Sequence, residues 1–269
     1  MRAVFAWPLM MLMALPAWAD ARMSVLVDVL QLEAAAQILR VEGLEHAANL
    51  NTEMLDGKGG AGWEVQVGAI FDTARMVETV RLALEAELDA DAREEVIAFF
   101  GAPAGTRIIE LENEARAAII APKVEKAARA RYAQLDADAD PRLDLISQII
   151  EPADMTTRNV TSALNANFQF LRGLADGGGS NMSEEEMLAQ VSGDLEEVTN
   201  DTGVWLYSYM LLAYHPLDDT ELLAYIAFSN TPAGVALNRA LFVGFGAAYE
   251  DISYALGRVV ALNMTAEAL

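Results

Sequence analysis

The sequence predicts an all-α protein of two similar helical halves packed together, following a cleavable N-terminal signal peptide. Three observations carry this expectation. Apolar residues recur at helical spacing, as in Leu26, Val29 and Leu30 or Ile108, Leu111, Ala115 and Ile119. Alternating strand patterns are almost absent, and glycine and proline cluster in loops. Finally, Ile97-Ala98-Phe99-Phe100-Gly101-Ala102-Pro103-Ala104-Gly105 returns 129 residues later as Ile226-Ala227-Phe228-Ser229-Asn230-Thr231-Pro232-Ala233-Gly234, which reads as an internal duplication.

Residues 1–19 have the parts of a secretory signal: Arg2 near the amine, an apolar stretch from Ala3 to Leu15, and small residues at Ala17 and Ala19. The stretch is interrupted by Pro8 and falls short of the roughly 20 residues a spanning helix needs. Cleavage after Ala19 by the general secretion route is therefore expected. No later apolar run is long enough to span a bilayer either; the longest, Val204 to Tyr214, reads as a buried helix. The first helical half follows over 20–134, an acidic linker over 135–140, the second half over 141–262 and a tail over 263–269, with nine to eleven helices in all.

Each half carries a helix-turn-helix with its own local signals. Asp218 caps one helix and Glu221 completes a capping box. That helix stops near Asn230, where Thr231 caps the next, Pro232 sits at the position whose missing N–H costs nothing, and Gly234 lets a neighbouring backbone approach. In the first half Asp89, Phe99, Pro103 and Gly105 hold the matching places of Asp218, Phe228, Pro232 and Gly234. Ala92 and Ala102 stand where the second half has Glu221 and Thr231. Ser183 with Glu186 is another capping box, Asp140 before Pro141 opens a further helix, and Pro122 ends or kinks the long helix begun at Pro103.

Composition excludes whole classes of chemistry. The 269-residue chain has no cysteine, hence no disulfide, thiolate nucleophile or cysteine-ligated metal. With 18 basic against 40 acidic residues, its net charge of -22 opposes binding to nucleic acid or to anionic lipid. Asp136-x-Asp138-x-Asp140 starts like a calcium loop, but Pro141 and Ser147 occupy the positions of its glycine and bidentate glutamate, so it reads as a linker ending in a helix cap. Glu110-x-Glu112-x-Glu114 and Glu184-Glu185-Glu186 cannot put all their carboxylates on one helix face, and read as solvated helix surface or as first-turn charges complementing the helix dipole. Two histidines, and no nucleophile-elbow, P-loop or dinucleotide fingerprint, leave no catalytic constellation; no metal site and no cofactor are expected.

The turn Leu217-Asp218-x-x-Glu221-Leu222 followed by Ala227-Phe228-x-x-Thr231-Pro232-x-Gly234 resembles the signature of domain of unknown function 2059, a family of exported bacterial proteins. The first half resembles it less closely. The resemblance implies a helical periplasmic or secreted protein of uncharacterised role and supplies no catalytic residues.

Aromatic residues concentrate after position 200, which makes the second half the place to look for a pocket. Trp205, Tyr209, His215 and Arg239 are the ligand-binding candidates there, against the plainer reading that the aromatics form core. The sequence thus points to a non-enzymatic exported protein that binds a partner protein or a small apolar ligand, with no nucleic acid and no stable membrane insertion. A carboxylate-dependent hydrolase acting on cell-envelope material is the alternative, and self-association is a third reading.

Overall fold

A computed structural model describes residues 14–193 and 195–267. Thirteen helices are assigned among them, and no strand. They are α1 (Ala14–Val29), α2 (Leu32–Met54), α3 (Gly60–Ile70), α4 (Thr73–Glu87), α5 (Ala90–Phe100), α6 (Pro103–Ile119), α7 (Pro122–Ala137), α8 (Pro141–Ile150), α9 (Met155–Asp176), α10 (Glu184–Gly193), α11 (Leu195–Tyr214), α12 (Asp219–Ser229) and α13 (Pro232–Glu267). The number exceeds the nine to eleven expected. One reason is that α1 and α2 are separated at Gln31, a non-glycine residue in the left-handed region (φ 49°), a break with no glycine or proline to announce it.

Most helix ends follow the local chemistry read from the sequence. Asp89 accepts from the Ala92 backbone N–H at 2.8 Å, and Asp218 and Glu221 form a reciprocal capping box at the start of α12. Thr231 Oγ1 accepts from the Gly234 N–H at 3.0 Å, whereas Ala102 opens α6 with no side-chain cap. Ser183 and Glu186 bond reciprocally ahead of α10, and Asp140 accepts from the Arg142 N–H at 2.9 Å. Helix α6 ends before Pro122. At the matching position 129 residues on stands Asp251, and there α13 runs through unbroken.

Residues 1–13 of the expected signal lie outside the described residues. Helix α1 passes through the expected cleavage point, and its described core anchors begin at Met23 and Leu26, so cleavage after Ala19 leaves them in place. The linker is shorter than expected: α7 continues to Ala137 with Leu135 buried beneath it, leaving Asp138 to Asp140 as the connection. Of the expected tail, residues 263–267 are the last turns of α13, where Asn263 donates to Gln66 Oε1 at 3.0 Å.

The two halves interleave rather than stand side by side. Helix α4 lies along α13, and α11 lies along α6 and α7, so each half lends a helix to the other half's long helix. One large core joins Leu26, Val80, Leu84, Val96 and Phe100 to Leu206, Met210, Tyr214 and Leu222. A second core gathers Trp63, Val67 and Phe71 around Leu256 and Val260. Between the halves, Phe99 and Phe228 stack face to face at 4.0 Å and 9°. These two residues are 129 positions apart in the sequence.

Glycines set how closely helices approach. A Cβ at Gly105 would stand 2.7 Å from Phe100 Cα, and one at Gly234 would stand 2.8 Å from Ser229 Cα, so both turns exclude any larger residue. Gly173 on α9 and Gly257 on α13 face each other's helix backbones in the same way, and a Cβ at Gly244 would stand 2.7 Å from Val80 Cα on α4.

Candidate functional site

The turn that ends α12 rims a cleft of about 140 Å³ between the two halves. Its walls are mostly apolar, with Leu30, Phe100, Ile109, Ile149, Phe228 and Leu241 among them. Polar groups complete the lining: Glu112 and Tyr225, with Gln148, Asp154, Arg158, Ser229, Asn230 and Asn238. Three of the lining pairs are offset partners: Phe100 and Ser229, Ile109 and Asn238, Glu112 and Leu241. In each of these pairs one member is polar and the other apolar.

Glu112 is the central group. It projects from α6 opposite Glu110 and Glu114, because two residues of helix rotate the side chain by about 200°. Those two glutamates are exposed, as expected of a solvated face. Glu112 is turned inward instead, which corrects the reading of all three as surface. Its Oε1 accepts hydrogen bonds from Tyr214 Oη at 2.6 Å and Tyr225 Oη at 3.1 Å. A third tyrosine, Tyr209, donates to the Glu112 backbone carbonyl at 3.1 Å.

The electrostatics follow from this enclosure. Burial pushes the Glu112 carboxyl above the usual range, and the two tyrosine hydrogen bonds only partly oppose it. The same burial, with the Glu112 charge nearby, pushes the Tyr214 and Tyr225 hydroxyls well up, so they stay protonated and donate. The residue as a whole is half-buried because it forms part of the cleft wall, while its carboxyl is enclosed.

Trp205 and Tyr209 lie next to this cluster and stack at 5.3 Å and 4°. The Arg116 guanidinium sits over Trp205 at 5.2 Å from the ring centre and makes a bidentate ion pair with Glu42. Beside Arg116, burial raises the Tyr249 hydroxyl to about 12. His215 and Arg239 are elsewhere. His215 is exposed at the C-terminus of α11, in a different cleft against α7, and Arg239 is exposed and ion-paired with Glu87 of α4. Of the four ligand-binding candidates, the fold joins Trp205 to Tyr209 and separates the others. Glu112 was missed because its tyrosine partners lie 102 and 113 residues away. The one local signal was its position opposite Glu110 and Glu114.

The motif residues all sit at the turns. Asp89, Pro103 and Gly105 shape the first, Asp218, Glu221, Thr231, Pro232 and Gly234 the second, and Phe99 and Phe228 join them. Asp136 lies in the last turn of α7, Asp138 ends that helix and Asp140 caps α8. No group of three metal-ligating side chains occurs among the described residues, and none of their helices is long and apolar enough to cross a membrane.

No curated protein and no solved structure matches the chain. The family comparison gives one match, and it falls in the first part of the chain rather than on the turn around Thr231 and Pro232 that carries the resemblance in sequence. Over residues 74–134, from α4 into α7, the chain matches a family described as "Uncharacterized protein conserved in bacteria (DUF2059)".

Proposed function

We propose that this chain is an exported, periplasmic, non-enzymatic helical protein whose cleft between the halves takes a small, mainly apolar ligand bearing one hydrogen-bonding group. The observation that carries this is the Glu112 carboxyl, held by Tyr214 and Tyr225 against the apolar part of a cleft whose remaining wall is polar. A carboxyl whose proton is retained to higher pH offers a ligand both a donor and an acceptor. A site of about 140 Å³ suits a group of roughly benzene size, since an engineered cavity of about 150 Å³ binds benzene. The apolar walls supply affinity and the carboxyl supplies orientation.

The same reading takes the chain as a duplication. Helices α5 and α12 start 129 residues apart, as do α6 and α13, and Gly105 and Gly234 are crowded by matching backbone atoms. A single site then falls between the copies, with a polar residue on one or the other side of each offset pair. Export rests on the sequence of residues 1–19.

The test is ligand-observed NMR with benzyl alcohol, comparing the wild type, Glu112→Leu and Arg239→Ala. Saturable binding that Glu112→Leu abolishes and Arg239→Ala leaves intact is the expected result. Absence of wild-type binding, or equal binding in all three, would overturn the assignment.

A second reading, a carboxylate-dependent hydrolase acting on cell-envelope material, draws on Asp154, which lines the same cleft as Glu112. Two carboxyl groups in one cleft are what such a reaction requires. Turnover of peptidoglycan fragments that falls in both Glu112→Gln and Asp154→Asn would favour it, and no turnover by the wild type would end it.

A further inference from the structure

A second hollow lies on the other side of α11, against α7, with a volume of about 530 Å³. Its origin is the break at Pro122. The unbroken α13 packs its C-terminal part on α9, whereas α7 leaves the line of α6 and rests on α11. The middle of the α7 wall is small, Ala127 and Ala128, between Val124 and Leu135, and Leu211 and Leu212 of α11 also line the hollow. Small side chains in the middle of the wall leave the space between the helices unfilled.

The rim has the opposite sign to the rest of the molecule. In a chain of net charge -22, Lys123, Arg131, Arg142 and His215 line this hollow against a single carboxylate, Asp140. Asp140 is already engaged in capping α8, and Arg142 is held by Asp219 and by the Tyr214 and Leu217 carbonyls. Lys123 and Arg131 make no ion pair with any described residue, and Arg131 donates a hydrogen bond to Gln134 Oε1 at 3.3 Å. Lys123, Ala127 and Arg131 form one stripe of α7 at four-residue spacing, so the free cations flank the apolar surface.

We infer that the hollow between α7 and α11 is a binding site for a single-chain anionic amphiphile of the fatty-acid class. Its acyl chain lies along Ala127, Ala128, Leu211 and Leu212, and its carboxylate pairs with the Lys123 and Arg131 side chains. The volume falls within the range of ligand sites, about 300–1,000 Å³. Charge complementarity selects the head group. A cationic amphiphile gains the same apolar contacts but meets the cations, and a neutral alcohol gains no ion pair. The site shares no lining residue with the cleft at Glu112, so the two assignments stand or fall separately.

The test uses the purified protein and displacement of a dansylated undecanoic acid, read by fluorescence, with laurate, dodecanol and dodecyltrimethylammonium as competitors. Laurate is expected to bind saturably at one site, at least about tenfold more tightly than either competitor. The double variant Lys123→Glu/Arg131→Glu is expected to lose about tenfold or more in laurate affinity, and Ala127→Trp, which fills the hollow, to lose binding. Glu112→Leu is expected to bind laurate normally. Equal affinity for the three competitors, no effect of the α7 variants, or association with phosphatidylglycerol vesicles but not with monomeric laurate would each overturn the proposal.

Discussion

Alanine in place of Gly257 tests the crossing of α9 and α13, which also sets the cleft walls contributed by the two helices. A Cβ at position 257 would lie 2.9 Å from the Leu174 backbone nitrogen and 3.0 Å from the Phe170 carbonyl carbon, and closer still to the Phe170 oxygen. Ordinary contact begins at 3.4 Å, so the backbones must part by about 0.5 Å even at the nitrogen. A radial gap of ~0.5–1 Å forfeits about a quarter to a half of each dispersion contact along the crossing. Forced overpacking of this kind costs about 1–3 kcal/mol, and both obstacles here are backbone atoms that cannot rotate away, which places the cost at the upper end. Alanine's better helix propensity returns about 1 kcal/mol. The net expectation is a loss of about 2 kcal/mol, or roughly 4–8 °C in Tm for a chain of this size. Gly246 supplies the control in the same helix: its nearest non-local atom is Ser162 Oγ at 3.6 Å, so Gly246→Ala keeps only the propensity gain of about 0.5–1 kcal/mol. Urea and thermal unfolding of both variants decide the matter. Gly257→Ala as stable as the wild type, or both variants shifting alike, would refute the close-approach argument.

Three further outcomes follow from the same geometry. Thr231→Ala removes the hydroxyl that accepts from the Gly234 N–H and should lose about 1 kcal/mol, whereas Ala102→Thr adds a cap that α6 lacks, on an already extended backbone, and should gain up to about 1 kcal/mol in urea unfolding. Asp218→Ala should cost more than Asp89→Ala, because only the former sits in a reciprocal box, and Glu221 there also pairs with Arg107 at 2.5 Å. Glu112→Gln should change the pH dependence. A raised folded-state pKa contributes stability that is fully present below the unfolded value, about 4.3, and is lost as pH rises through the folded value. The glutamine variant should therefore gain relative to the wild type as pH rises above about 4, measured by unfolding across a pH series; a gain on acidification instead would contradict the burial argument.

The proposed binding site explains why the motif turn and the cleft occur together. Phe228, Ser229, Asn230 and Gly234 belong to the turn and also line the cleft, so the close approach that Gly234 permits brings α13 next to α12 and fixes the cleft rim. Glu112 and Tyr225 then meet because Phe99 and Phe228 stack between the halves.

Local chemistry was legible in the sequence wherever a few neighbouring residues settle it. The all-α class, the capping boxes at Asp218 and Ser183, the cap at Asp140 and the stop at Pro122 each depend on contacts within one helical turn. The alternation of Glu110, Glu112 and Glu114 likewise determined that one carboxyl must face away from the other two. Which one turns inward was settled by Tyr214 and Tyr225, reached across more than 100 residues, and no local pattern encodes that pairing. Gly257 reads in sequence as a weak spot in a helix, and only its crossing with Gly173 makes it a contact. The hollow beside Ala127 has the same character: four-residue spacing places Lys123, Ala127 and Arg131 on one face, but only the packing of α7 on α11 after the break at Pro122 turns that face toward a hollow. The sequence determined the helices, their caps and their ends. Tertiary packing decided which faces became buried, because burial depends on partners distant in the chain, and the sites lie where that packing left polar groups enclosed or space unfilled.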